Sequence, residues 1–296
     1  MAGAGAVRAV KDRIRAVESA AKVTKAMELV AASKMRRAQD RALAARPYAE
    51  RMRAVLAALS GYAQQADADD LHPLLAERDV SHFAFIHITS DRGLAGGLNS
   101  NMNRAGASLA LEHQPNVEQV SALAIGRKGR DFFSRSGFPL LAEFTEIGDF
   151  PGMEAVLPIA RIVIDDYSAG NVDRVFLGFQ NFVSTAVQRP QFRQLLPVVA
   201  PEGEDDSAVD FIFEPEPAQL LETLLPRYVE MQIFEALLEA SASEQSSRMV
   251  AMRQATDAAE EMVGDLTLTY NKARQELITS DLLDIVGGKA ALERDQ

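Results

Sequence analysis

Beyond Pro226 the chain has no further proline, and its only glycines are Gly264, Gly287 and Gly288. Proline and glycine are the residues that stop helices, so roughly 60 residues here are free to form one helix. At ~1.5 Å of rise per residue, such a helix runs on the order of 90 Å. No single compact core can support it along its length, so it needs a partner beside it.

The other end of the chain supplies one. From Ala6 to Ser60 there is no glycine and one proline, Pro47, which predicts a kink or a break. Val7, Val10, Ile14 and Val17 are spaced by three and four, as in a helical seam. The pattern then predicts a shift of one step to Ala20, Val23, Met27 and Val30, continuing through Met35, Ala38, Ala42 and Ala45. In the C-terminal stretch, Met252, Ala255, Ala259, Met262 and Leu266 repeat it. With a folded insert between them, antiparallel pairing is the simpler geometry. Charge agrees: residues 8–53 hold 13 Lys+Arg against 5 Asp+Glu, while residues 215–296 hold 7 against 15. Opposite charges beside a seam favour pairing and register.

The 296 residues suffice for one or two domains. There is no apolar run of ~20 residues to span a membrane, and no apolar core of a secretory signal near the start. With no cysteine, disulfides and thiol chemistry are excluded. A net charge of −11 argues against nucleic acid as a partner. The basic N-terminal helix is the exception and calls for acidic company.

Between the arms the texture changes. Residues 61–78 read as a linker. Residues 81–89 (SHFAFIHIT), 120–125 and 173–182 read as strands, and residues 191–198 as an antiparallel edge confined by Pro197. Residues 101–113, 127–136 and 153–169 read as helices, the last with Leu157, Ala160, Ile164 and Tyr167 as its buried stripe. An acidic loop follows at 201–210. The expected fold is a long antiparallel two-helix coiled coil, residues 1–61 and 211–296. Inserted in it is a Rossmann-like α/β domain, residues 75–200, with a mostly parallel sheet.

Two turns invite a search for chemistry. Gly93, Gly96 and Gly97 follow the first strand, where an α/β domain would bind phosphate. Their spacing is neither GxGxxG nor a P-loop. GRKGR at 126–130 follows the second strand and reads as a helix start with solvated bases. His82 and His87 stand an odd number of positions apart and should face opposite sides of one strand. No HExxH, EF-hand loop or GxSxG is present, so the residues define no active site and call for no cofactor.

Three stretches carry a resemblance. They are residues 22–50 (KVTKAMELVAASKMRRAQDRALAARPYAE), 89–101 (TSDRGLAGGLNSN) and 243–279, which includes YNKARQ. Together they resemble the gamma subunit family of the F-type ATP synthase, in its bacterial form, over the whole chain. The resemblance implies a non-catalytic central-stalk rotor, one copy per complex, in which the paired helices turn inside an alpha3-beta3 hexamer. The α/β domain would stand outside with the epsilon subunit and the c-subunit ring, with room left for a small inhibitory subunit. Proton flow would turn the ring, and the shaft would shift the beta sites among their states. The location implied is peripheral, at the cytoplasmic face of the bacterial inner membrane, with no membrane insertion.

Residue roles follow by the same resemblance. Arg274, Gln275 and Thr279 would meet a beta catch loop. Lys22, Lys25 and Met27 would face an acidic beta loop, with Arg92 beside that contact. Phe213 and Glu214 would meet the c ring, although FEPEP departs from the family's usual aromatic-Glu-Pro-Asp-Pro. Ala31, Ala32 and Ala44 are expected on exposed faces of a shaft that turns. Two other classes stay open on periodicity alone: a nucleotide-handling α/β enzyme with coiled-coil arms, and a basic coiled coil that binds nucleic acid.

Overall fold

The computed structural model describes residues 2–63, 72–199, 214 and 216–294. Its elements in order are α1 (Ala2–Ala63), β1 (His82–Ile88), α2 (Leu98–His113), β2 (Gln119–Ile125), α3 (Arg127–Arg135), β3 (Leu140–Phe144), α4 (Met153–Ser168), β4 (Arg174–Phe182), β5 (Gln188–Leu196) and α5 (Pro217–Arg294). They divide into two compact units, Met1–Val30 with Met249–Gln296, and Ala31–Arg248.

The first unit is an antiparallel pair of helices. The inward positions of α1 are Val7, Val10, Ile14, Val17, Ala21 and Thr24. Those of α5 are Met252, Thr256, Ala259, Val263, Leu266, Tyr270, Ala273 and Leu277. Spacings of three and four alternate without a break in both, the pattern of a left-handed coiled coil. The expected one-step shift fails at Ala20, Val23 and Val30, while Met27 is half-buried. Ala20 is exposed, and Val23 and Val30 are 56% and 54% exposed, while Ala21 and Thr24 turn inward. Helix geometry carries the seam from Val17 to 21 and 24 whatever residues stand there. On α5, Met262 likewise faces outward and Val263 takes its place. The hydroxyls of Thr24 and Thr256 meet across the seam at 2.7 Å. Each hydroxyl also lies on a carbonyl of its own helix, Ala21 at 3.0 Å and Met252 at 2.9 Å.

The second unit is built on a five-stranded sheet in the order β3-β2-β1-β4-β5. The first four strands are parallel, and β5 is the antiparallel edge that the sequence predicts. The five-residue β3 was not expected, because LLAEF is too short to show a period. On one face Phe83, Phe85, Val120 and Ala122 pack against Ala110 of α2 and Phe133 of α3. On the other, Ala84, Ile86, Leu123, Val175 and Leu177 meet Val156, Ile159, Ala160, Val163 and Tyr167 of α4. Of the expected stripe on α4, Ala160 and Tyr167 are buried and Ile164 is half-buried, while Leu157 is exposed and Val156 takes its place.

That second face is finished by both ends of the chain. Met52, Leu56 and Leu59 of α1 and Leu225, Val229, Ile233 and Leu237 of α5 belong to the same core. Ala31, expected at the surface, is 1% exposed, because it continues the buried series through Ala38 and Ala49. Ala44 is exposed as expected, and Ala32 is half-buried. Pro47 does not break α1. It lies on the exposed side, as does Leu43, whose carbonyl the ring deprives of a donor, so water can satisfy that group.

Two glycine pockets shape the core. His87 is fully buried on β1, and a Cβ at Gly106 or Gly129 would lie 2.8 Å from its ring. Its Nε2 bonds Asn103 Oδ1 at 2.9 Å, which makes that nitrogen the donor. Burial lowers its pKa to about 4, against a smaller upward pull from Asn103. Gly178 faces Phe192 across the β4–β5 pair, where a Cβ would lie 2.1 Å from the ring.

Because folded His87 refuses a proton that the unfolded chain accepts near pH 6.5, its contribution is intact above that pH. It falls away as pH drops toward 4. The loss amounts to about 3 kcal/mol. Denaturant melts should show this slope in the wild type, and the His87→Gln variant should show a flatter one. Gly178→Ala should cost about 1–3 kcal/mol by overpacking against a ring already held by Phe85 and His87. Urea titration would read that cost, and an unchanged midpoint would remove the close approach.

Candidate functional site

The crevice at the carboxyl ends of β1 and β4, where strand order reverses, is where an open α/β sheet binds ligands. Here α5 fills it. Leu237, Ala240, Ser241 and Glu244 form one wall, facing Ile88, Ser90, Asn99 and Gln180. What remains is about 50 Å³. Small-molecule sites run to roughly 300 Å³ and more, so no nucleotide fits.

The carbonyls of the glycine-rich turn are taken as well. Ser247 Oγ donates to Ala95 O at 2.7 Å, and Arg248 donates to Gly93 O at 3.3 Å. At the second turn, the first amides of α3 find their acceptors inside the chain. Arg127 N donates to Asp91 Oδ1, Lys128 N to Ser90 O and Gly129 N to Thr89 Oγ1. A carboxylate therefore sits where a phosphate would. Gly126 is required there, at φ 88°, because a Cβ would lie 2.1 Å from Thr89 O. Among the described residues no cluster of acidic or histidine side chains could hold a metal.

The serine-rich segment of α5 does this closing. Ser241 donates to Asp149 O, Ser243 to Gln180 O, Ser246 to Thr185 O and Ser247 to Ala95 O. Serines inside a helix usually bond their own backbone. These four instead reach four different loop or strand-end carbonyls. Beside them, Arg248 pairs with Glu244 at 2.7 Å, and both side chains are largely buried. Burial pushes the Glu244 carboxyl up, against the pull of Arg248. The sequence signal was the small residues of ASASEQSS, which permit close approach.

The contact residues implied by the resemblance lie elsewhere. Lys22, Lys25 and the half-buried Met27 occupy two turns of α1 in the helix-pair unit. Lys25 holds Glu28 at 2.9 Å and stays 55% exposed. Arg274, Gln275 and Thr279 are exposed on α5 of the same unit, with Gln275 and Thr279 one turn apart on one face. Arg92 is exposed on the turn after β1, in the other unit. Glu214 is exposed, and Phe213 lies outside the described residues.

Sequence reasoning missed the apolar surface around these groups. Val23, Leu29 and Val30 face outward beside the lysines, and Leu282, Leu283, Ile285 and Val286 are each more than half exposed on α5. Counting outward from the Thr24–Thr256 pair, Ala2 falls opposite Ile278. The described part of α5 runs on to Arg294.

An α/β body closed by its own C-terminal helix and two long terminal helices paired antiparallel define a stalk-type subunit. Comparison with known proteins agrees. The ATP synthase family model matches residues 6–292. The ATP synthase gamma chain of Dehalococcoides mccartyi is 52% identical over 97% of this chain and 99% of its own length. That of Chloroflexus aurantiacus is 46% identical over 96% and 98%. Among solved structures, the central stalk and c-ring of Tetrahymena thermophila mitochondrial ATP synthase holds a chain at TM-score 0.60 and 28% identity. The match covers 79% of this chain and 99% of that one. A chain of the Euglena gracilis enzyme shares the fold at TM-score 0.66 and 20% identity, over 98% and 95%. The chain belongs to the ATP synthase gamma chain family.

Arg248→Met should strand the Glu244 charge and cost about 3–5 kcal/mol near neutral pH. The cost relative to wild type should shrink as pH falls and Glu244 takes a proton, and Glu244→Gln in the same background should recover most of it. Thermal melts across pH check both, and a pH-independent cost would contradict the stranded charge.

Proposed function

We propose that this chain is the rotor of the F1 sector, carrying rotation between a c-subunit ring and an alpha3-beta3 hexamer without a catalytic site of its own. In this reading residues 1–61 and 211–296 serve as the shaft and residues 75–200 as the body that meets the epsilon subunit and the c ring. The observation that carries it is the outward surface of the helix-pair unit. It is more apolar than two helices satisfied by each other require, and it carries Lys22, Lys25, Arg274, Gln275 and Thr279. Apolar contacts are non-directional, so a shaft can turn against them without breaking a fixed set of hydrogen bonds. The few polar groups give the differential contact that lets one orientation favour one state of a partner over another.

The closed crevice supports the non-catalytic part of the reading, since the place where this fold does chemistry is occupied by α5. A solved relative supports the complex: the matching Tetrahymena thermophila chain stands in a central stalk with a c-ring. Phe213 and Glu214 are assigned to the c-ring contact and Arg92 to the neighbourhood of the acidic beta loop. No described helix is long and apolar enough to cross a membrane. A peripheral place at the cytoplasmic face of the bacterial membrane is the corresponding assignment.

The test is Arg274→Ala with Gln275→Leu in the assembled enzyme. Losing two partner hydrogen bonds, ~1–2 kcal/mol in total, should lower coupled ATP synthesis by about tenfold. Lys25→Ala or Met27→Lys should reduce coupling more than assembly. Normal synthesis in the double variant would remove the catch-loop assignment, and equal losses of assembly and coupling would remove the second.

A further inference from the structure

The loop between β3 and α4, residues 145–152, touches both long helices within the Ala31–Arg248 unit. Lys34 Nζ of α1 reaches Asp149 Oδ2 at 2.6 Å. From α5, Gln245 Nε2 donates to Asp149 Oδ1 at 3.2 Å, and Ser241 Oγ donates to the Asp149 carbonyl at 2.7 Å. One residue thus takes three bonds from two helices. The next residue adds a second hold. The guanidinium groups of Arg37 and Arg41 lie 5.4 and 5.1 Å from the centre of the Phe150 ring, and Arg41 donates to the Phe150 carbonyl.

The loop is also fixed to the sheet. Asp91, at the end of β1, accepts from Glu146 N through Oδ2 and from Arg127 N through Oδ1. Glu146 and Gly148 hold left-handed backbone at φ 62° and 89°, so the loop's path is set by its own conformation. Its side chains therefore sit on a foundation tied to the parallel strands, while their partners belong to the helices. The Asp149 pair is about one-quarter exposed on each side, where a charged hydrogen bond keeps more of its strength than at an open surface.

We propose that this loop is the joint through which turning force passes between the sheet and the segments of α1 and α5 packed on it, with Asp149 as the positioning residue that fixes it. This rests on the rotor reading. The apolar contacts of α1 and α5 with the sheet resist separation of the layers, but packed helices slide with small displacements. A directional, charged clasp engaging both helices from one anchored loop resists that sliding. Asp149 is specified because it alone bonds both helices.

The experiment uses the assembled alpha3-beta3-gamma complex with a bead on the α/β body. The bead is attached through Leu111→Cys, a site 67% exposed in a chain that has no cysteine. Rotation of the wild-type bead on ATP establishes the rotor, and a wild-type bead that never turns sinks that reading and the joint with it. In Asp149→Ala/Phe150→Ala, ATP hydrolysis and melting temperature should stay near wild type while the bead's angular variance at a pause grows severalfold. Lys34→Met, which leaves the loop itself intact, should move the variance the same way and keeps the test open if the first variant fails to assemble. The exchange Lys34→Asp/Asp149→Lys should bring the variance back, since the Gln245 amide can turn to accept. Wild-type variance in Lys34→Met, or a rise that the exchange does not reverse, overturns the proposal.

Discussion

A sheet with two apolar faces must be covered twice, and the rest of this structure follows from how the second cover is made. On one side α2 and α3 suffice. On the other α4 leaves part of the face bare, and the chain completes it with Met52, Leu56 and Leu59 from α1 and Leu225, Val229 and Ile233 from its last third. These helix segments are core residues of the body and cannot lift away without returning a large apolar surface to water. These segments of α1 and α5 are thereby held to the sheet through the hydrophobic effect, and their polar contacts have only to set direction and register.

The crevice shows the same economy. An open parallel sheet comes with a ligand site at its reversal point, and this chain uses that concavity as a socket for α5. The serines of the segment spread their hydroxyls over three loops and one strand, so the bonds that would hold a ligand hold a helix. Asp91 closes the second potential phosphate site at the start of α3. A fold known for binding small molecules has here become an attachment device.

Much of this was legible in the residues, and the gaps have physical causes. The absence of helix breakers announced both arms, and four of five strands were read from the sequence, the first from its alternating aromatic and β-branched residues. The seam was misplaced at Val23 and Val30 because the helix pair carries apolar residues on its outward side too, and periodicity cannot tell which valine faces which neighbour. Thr24 and Thr256 were passed over because a seam can hold hydroxyls that donate to each other or to their own backbones. Pro47 was overweighted, since its cost depends on whether the freed carbonyl sees water. Asp149 carried no local signal. Its importance comes from Lys34 and Gln245, 115 and 96 positions away. The partner contacts assigned to Gln275 and Thr279 rest on family resemblance alone, because an exposed Gln or Thr on a helix carries no mark of its partner.

The dependence of the body on α5 also sets an order of assembly in time. The strands lie within residues 82–196, but the helix that covers their second face begins only at Pro217. As the chain emerges from the ribosome, β1 and β4 can pair while Ala84, Ile86, Val175 and Leu177 still lack part of their cover. A nascent chain at that stage presents a sticky sheet face to its surroundings, the kind of surface that chaperones hold. The body becomes a finished domain only once Leu225, Val229, Ile233 and Leu237 have been made, well after its last strand.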